Sequence, residues 1–275
     1  MNLAIILPAA GSSSRFNENA GPLGIERRKL DEDLGGRPVL QRTVELFTKL
    51  DTLLDDDVTI GTILVAGPHD DETFSEFSFR HADKLALLGA KLIRGGPTYR
   101  YETVAAALEH VPGDATHIAV HDAARPVTDL KLIDRVIRAA RTHAAVVPGV
   151  PASDTLKKLG EPLADDGPAD PLDAILSAGG PSIAARPVES TLDRAGVYQI
   201  QTPQVFEVGL LRRAYAQDDL SSTDDAGLVE RLGEQVVVVE GGPLNIKITR
   251  PRDLDLARAI GGFRKPDDRP SHKKF

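Results

Sequence analysis

The run Leu7-Pro8-Ala9-Ala10-Gly11-Ser12-Ser13-Ser14-Arg15 places small side chains directly before a guanidinium, just after the first apolar stretch. Small residues at the carboxyl end of a strand let backbone N–H groups approach a phosphate or a base edge, and open α/β sheets bind ligands at such ends. Arg15 adds a fixed charge and a planar fork of donors. The run holds neither a GxGxxG nor a GxxxxGK(S/T) pattern, and it suits an ordinary tight loop with a surface arginine equally well. In His121-Asp122-Ala123-Ala124-Arg125-Pro126, a carboxylate at a strand end could coordinate Mg²⁺ or hold a polyol hydroxyl. It could as well cap a helix or make a turn. Arg125 precedes a proline, so it sits in an extended dipeptide, from which it could pair with Asp122. Taken alone, Arg27-Arg28-Lys29 reads as a solvated basic turn. Lys247 lies between Ile246 and Ile248. Alternation in a strand sends it to the opposite face from both, toward solvent or toward a ligand. His121 is the only histidine inside a motif and suits a structural hydrogen bond. No HExxH spacing occurs.

The elements that must position these residues follow from the apolar pattern. Leu3 to Leu7 is a continuous apolar run, as in a strand of a parallel sheet covered on both faces. Further strands are expected at Thr59–Ala66, Lys91–Arg94, His117–His121, Ala144–Pro148, Val236–Val239 and Ile246–Thr249. Helices are expected at Pro38–Leu50, with proline at a first-turn position, and at Glu72–Leu88. Others are marked by Val104, Leu108 and Val111, and by the stripe Leu130, Ile133, Val136, Ile137 and Ala140. Glu207–Gln217, Thr223–Leu232 and Pro251–Ile260 complete the set. The alternation predicts an α/β fold with a doubly wound, mostly parallel sheet. Between 151 and about 200 the rhythm breaks. Extended runs at Asp154–Lys158 and Val197–Gln201 are expected to pair as a projecting β-arm around an insertion, Glu161–Pro187. The domain reading is one domain over 1–262, with an arm at about 152–202, an insertion at about 161–187 and a disordered tail at 263–275.

The 275 residues carry a formal charge of −8, so no broad cationic face is offered to nucleic acid. No apolar run approaches the roughly 20 residues that span a bilayer, and the start lacks the basic region of a signal peptide. With no cysteine, disulfides and thiolate metal sites are excluded. A cytoplasmic protein is expected, and an anionic small-molecule substrate is compatible with this charge if the positive residues converge locally.

Pro8-Ala9-Ala10-Gly11-x-x-x-Arg15 resembles the nucleotide loop of the 2-C-methyl-D-erythritol 4-phosphate cytidylyltransferase family. Further similar segments follow in the family's order: His121 to Pro126, Asp154-Thr155-Leu156-Lys157, Asp193-Arg194-x-Gly196, Gln201-Thr202-Pro203-Gln204, Thr223-Asp224-Asp225, and Gly241 to Pro251 with Asn245-Ile246-Lys247-Ile248-Thr249-Arg250. Together they span nearly the whole chain.

The resemblance implies a Rossmann-like nucleotidyltransferase with a projecting β-arm, transferring CMP from CTP to 2-C-methyl-D-erythritol 4-phosphate. It implies Mg²⁺ or another divalent cation as cofactor and a homodimer formed through the arm. Arg15, Lys29 and Lys247 are then the catalytic cations around the triphosphate. Pro8, Ala9, Ala10, Gly11, Gly95, Gly96, Arg100 and Thr103 contact the nucleotide. Asp122, Ala123, Arg125, Thr155, Arg194 and Thr202 receive the acceptor, with Asp122 also toward the metal. Asp224 reads as a helix N-cap. The chain departs from the family pattern in three places. Its Arg15–Lys29 loop is long and ends Arg28-Lys29-Leu30. The segment from Gly95 has one extra residue, with Pro97 and Tyr99 where acidic and polar residues are usual. The arm carries the insertion. Three other readings stand beside this one. One is a cytidylyltransferase for another polyol phosphate such as ribitol 5-phosphate. Another is a non-catalytic nucleotide-binding relative. The third is a dinucleotide oxidoreductase, disfavoured by the missing GxGxxG.

Overall fold

Leu3, Ile5 and Leu7 of the first strand point into one hydrophobic core, and Ala4 and Ile6 point into another. A strand alternates its side chains, so an uninterrupted apolar run means that both faces of the sheet are covered. The structure is a computed structural model that describes residues 1–18, 27–50, 54–55, 57–163 and 185–264.

Among these residues the chain forms β1 (Asn2–Pro8), α1 (Ser14–Asn17), α2 (Val39–Leu50), β2 (Thr59–Gly67), α3 (Asp71–Leu87), β3 (Ala90–Arg94), α4 (Arg100–Leu108), β4 (His117–Val120), α5 (Leu130–Ala140) and β5 (Ala145–Pro151). There follow β6 (Leu156–Leu159), β7 (Val188–Leu192), β8 (Tyr198–Ile200), β9 (Gln204–Glu207), α6 (Val208–Tyr215), α7 (Asp225–Arg231), β10 (Val237–Glu240) and α8 (Pro251–Gly261). The chain divides into two compact units, Met1–Val150 with Ile200–Phe275, and Pro151–Gln199.

In the first unit the strands run in the order β10-β5-β9-β4-β1-β2-β3. β1 pairs parallel with β2 on one side and with β4 on the other, while β9 lies antiparallel between β4 and β5. The sheet is therefore mixed but mostly parallel. One face is covered by residues of α2, α3, α5 and α8, among them Leu40, Phe47, Phe77, Ile133, Val136 and Leu254. The other is covered from α4, α6 and α7 by Val104, Leu108, Leu211 and Leu228. Successive strands leave β1 toward β2 and β3 on one side and toward β4 on the other, so the gap between β1 and β4 is the topological switch point. Such crevices, at the carboxyl ends of strands, are where open α/β sheets bind ligands.

Helix starts follow local rules. The Asp70 side chain accepts from the Thr73 N–H, Asp129 from Lys131, and Asp224 from Gly227, which supplies partners to otherwise orphaned donors. Two expected elements differ. Ile246–Thr249 forms no strand: the Ile246 N–H donates to Leu244 O at 2.8 Å and the Ile248 N–H to Ala124 O at 2.9 Å, so no ladder partner remains. In the second unit the strand that pairs with β6 is β7, antiparallel, rather than Val197–Gln201. The short central strand β9, which lies between the expected return of the arm and the next helix, was not anticipated. Most of the insertion, 164–184, and the tail beyond 264 lie outside the described residues. No helix among the described residues is long and apolar enough to cross a membrane.

Phe206 of β9 is fully buried. Phe206→Ala is expected to cost about 3–5 kcal/mol through lost burial and a residual cavity, read as a lower denaturant midpoint at an unchanged slope.

Candidate active site

Three loops meet above the switch point, each stitched to a strand end. The Ala9 N–H donates to Ala66 O at 2.7 Å, Gly95 to Gly67 O at 2.9 Å and His121 to Ile6 O at 2.9 Å. They enclose a crevice of about 330 Å³, lined by Pro8, Ala9, Ala10, Gly11, Ser12, Arg15, Lys29, Leu30, the turn Gly96 to Arg100, Thr103, Asp122, Ala123, Ala124 and Lys247. Cations from opposite ends of the chain thus share one cavity.

Each cation is set by a buried neighbour in sequence. Arg15 lies on the single turn of α1, whose Phe16 is buried. Lys29 precedes buried Leu30, and its N–H donates to Ser13 Oγ at 3.2 Å. Ser13 adopts φ 61°, a conformation disfavoured for a residue with a side chain. The other basic residues of that turn lead elsewhere: Arg27 pairs with Glu32 at 2.5 Å and Arg28 with Glu76 at 3.6 Å. Lys247 sits between buried Asn245 and fully buried Ile248. Ile248 belongs to the core while Lys247 lines the crevice, although the segment is a loop.

Asp122 is the electrostatic centre. The residue is only 8% exposed, yet Oδ2 lies 3.0 Å from Lys247 Nζ and 3.2 Å from Arg125 Nε, and Oδ1 lies 3.4 Å from Arg100 Nε. Burial alone would raise its pKa. The charges of Lys247, Arg100 and Arg125 overcome that and hold the carboxyl well below the usual range. Lys29 experiences the converse. Burial and the nearby Lys247 charge lower its pKa to about 8, with Asp122 opposing and Arg15 adding to the repulsion.

His121 is fully buried and held at about 4 chiefly by burial. Nε2 lies 3.2 Å from Arg125 O, and Nδ1 lies 3.2 Å from Thr202 Oγ1, which itself accepts the Asp122 N–H at 3.1 Å. A neutral ring protonated on Nε2 satisfies all three contacts. The histidine is therefore a strut of the Asp122 turn.

Of the residues expected at the site, Arg125 and Thr202 do not line the crevice. Arg125 donates to Asn245 O at 2.5 Å as well as to Asp122, and the Thr202 hydroxyl is engaged with Asp122 and His121. Gly95 lies just behind the crevice wall. A Cβ there would come 2.6 Å from Gly67 O, and one at Gly96 would come 2.3 Å from Glu102 Cβ. Thr155 and Arg194 belong to the second unit, where both are exposed and Arg194 donates to Ser153 O. Asp225, Tyr215 and Asn245 were not anticipated as site residues. The signal for Asp225 was a second acid beside the capping one.

Small-residue loops, an excess of cations and, among the described residues, a single lining carboxylate at the switch point of a doubly wound sheet make a nucleotidyltransferase-type site. The family model described as IspD, 2-C-methyl-D-erythritol 4-phosphate cytidylyltransferase, matches residues 3–164 and 173–262. A protein of that name from Rhodococcus jostii is 37% identical over 256 residues, covering 93% of each chain. Another, from Acidobacterium capsulatum, is 36% identical over 265 residues, covering 94% of this chain and 96% of its own. The crystal structure of the Thermus thermophilus protein of that name superposes with a TM-score of 0.63 at 30% identity, covering 95% of this chain and all of the other. The chain belongs to the 2-C-methyl-D-erythritol 4-phosphate cytidylyltransferase family.

Two outcomes are expected. Gly96→Ala drives a Cβ into the α4 backbone, so nucleotide KM should rise at least about tenfold, a 1 Å shift of a positioning loop being enough for losses of that size. Lys29 carries its charge below about pH 8. Triphosphate affinity should therefore fall as pH rises from 7 to 9, and the fall should flatten in Lys29→Gln, measured by calorimetry across that range.

Proposed function

We propose that the chain transfers CMP from CTP to 2-C-methyl-D-erythritol 4-phosphate and releases pyrophosphate, a step of isoprenoid precursor synthesis. The observation that carries the reading is the convergence of Arg15, Lys29 and Lys247 on one crevice with Asp122. A phosphate oxygen of the acceptor attacks the α-phosphorus of CTP in line. The new P–O bond forms as the α–β phosphoanhydride bond breaks, and its electron pair leaves with pyrophosphate. The transition state spreads negative charge over the transferring group, so fixed cations lower its energy more than a protein nucleophile would.

Arg15 and Lys29 bracket the β- and γ-phosphates, and Lys247 meets the α-phosphate together with the attacking phosphate. The backbone from Pro8 to Gly11, with Gly95, Gly96, Arg100 and Thr103, receives the nucleoside. Asp122 orients the acceptor hydroxyls, seated by Ala123, Arg125 and Thr202 behind it. The family resemblance assigns Thr155 and Arg194 to the acceptor phosphate, partly from the neighbouring subunit's arm.

Among the described residues Asp122 is the only carboxylate lining the crevice. Among the described residues no group of three or more His, Asp or Glu is placed to hold a metal. This donor set fits Mg²⁺, or another divalent cation, only as a companion of the triphosphate, with Asp122 as its one protein ligand, since Mg²⁺ keeps phosphates and waters around it. Bound there, the ion neutralises triphosphate charge.

The domain is taken as 1–262 with the arm as its appendage. Exposed Leu159, Val188, Leu192 and Tyr198 on that arm support a homodimer formed through it. A cytoplasmic setting fits the cysteine-free chain.

Protein mixed with Mg²⁺, CTP and methylerythritol phosphate should release pyrophosphate. Release with ribitol 5-phosphate alone would reassign the acceptor, and CTP binding without turnover on either would make this a non-catalytic relative. Arg15→Ala and Lys247→Ala should each lower kcat/KM about 10²–10³-fold, the usual loss for one transition-state charge contact.

A further inference from the structure

We propose that Asp225 is a positioning residue for the nucleotide, acting through Arg100; this rests on the reading of the crevice as a CTP site. Asp225 opens α7 and has no exposed surface. Its Oδ2 accepts from Arg100 Nη2 at 2.8 Å and its Oδ1 from the Tyr215 hydroxyl at 2.5 Å. A single side chain of β9 fixes both of its neighbours: Gln204 Nε2 donates to Asp224 Oδ2 at 2.7 Å, and the Ala226 N–H donates to Gln204 Oε1 at 3.1 Å. The carboxylate is thus clamped in place before any ligand arrives.

Arg100, the first residue of α4, lines the crevice. Nη2 goes to Asp225, and Nε leans on Asp122 at 3.4 Å. Burial works against the Arg100 charge, but Asp225 and then Asp122 overcome it and leave the pKa raised. The guanidinium is shared between two carboxylates, and its shorter contact is to Asp225, which does not line the crevice that Arg100 itself lines. Without Asp225 it would collapse onto Asp122, where Lys247 and Arg125 already bind. The crevice would lose an aligned planar donor, and Asp122 would lose its balance of partners. Truncating one partner of a buried pair leaves the other charge uncompensated, so the arrangement is set by the pair rather than by Arg100 alone.

Asp225→Asn keeps the shape and removes the charge. Calorimetry should show CTP binding about tenfold weaker or more, the scale of one lost charge-assisted hydrogen bond. KM for CTP should rise in parallel, with kcat changed less than about threefold. In an Arg100→Lys background the same substitution should alter affinity less than about twofold, because the guanidinium it acts through is gone. Tyr215→Phe, which removes one donor to Asp225, should shift KM in the same direction by less, and should shift it less again in the Arg100→Lys background. If Asp225→Asn does not fold, the Tyr215→Phe comparison across the two backgrounds carries the test. A lowered melting temperature with unchanged KM, or equal effects in both backgrounds, overturns the proposal. Wild-type protein that binds no CTP overturns the CTP reading itself, whereas wild-type binding that Asp225→Asn leaves intact overturns only the positioning role.

Discussion

The buried charge of Asp122 is the constraint on which the site depends. An ionised carboxylate removed from water is costly, and only close cations make it tolerable. Here the cations come from the start of α4, from the turn after β4 and from the loop before α8. No one of these segments contacts the others through local sequence. Each must arrive by the packing of its own element, so the two hydrophobic cores are what hold the charges together. With Arg15 and Lys29 added, the described residues at and behind the crevice include five cations and two carboxylates, Asp122 and Asp225. The excess is positive, and burial of Lys29 against Lys247 shows that the protein holds it under repulsion. A triphosphate relieves that repulsion on binding. At about 4 Å, one pair of unit charges near a protein surface is worth on the order of 4 kcal/mol, so the relief is a real part of the binding free energy.

Close backbone approach is the second requirement, and it explains the composition of the loops. Gly95 passes within contact of Gly67 O and of Thr103, and Gly96 within contact of Glu102. The Glu102 carboxylate accepts the Thr98 and Tyr99 N–H groups at 2.8 and 2.7 Å. This fastens the segment with the extra residue to the start of α4 and so aims Arg100. The departure at Pro97 and Tyr99 therefore falls on the lining of the crevice, in the turn that leads into Arg100.

The fold was legible where periodicity is strong. β1, β2, α2 and α5 read directly, because full burial of a parallel strand and the apolar stripe of a helix leave marks that survive without context. The failures have physical reasons. β9 is short, with polar Gln204 and Glu207 at its ends, and it lies antiparallel among parallel neighbours. Residues 246–249 alternate like a strand, but the N–H groups of Ile246, Ile248 and Thr249 are spent on Leu244 O, Ala124 O and Asp253 Oδ2. Alternation records which side chain is buried, not whether a ladder exists. At the site, Lys29 could be chosen over Arg27 and Arg28 only through the family resemblance. Nothing in three consecutive basic residues says that two of them face Glu32 and Glu76. Asp225 was visible as a surplus. Capping accounts for Asp224, and a second acid at the same helix start had no local use, since its partners Arg100 and Tyr215 lie on other elements.

What the described residues of the crevice lack is a carboxylate or imidazole in a state to accept a proton. Asp122 is held ionised by three cations, and lowering its pKa further weakens it as a base. His121 is neutral, but it is fully buried and both ring nitrogens are engaged by Arg125 and Thr202. Lys29 titrates in a useful range but sits among cations, where its value is its charge. General acid–base chemistry asks for a group near the working pH within reach of the moving proton, and among the described lining residues only Lys29 titrates there, held among the charges of Lys247 and Arg15. A phosphate monoester is anionic near neutral pH and needs no deprotonation before it attacks. The chemistry suited to this crevice is therefore one in which the substrates bring both nucleophile and leaving group, and the protein supplies fixed, mutually repelling positive charge that the transition state relieves.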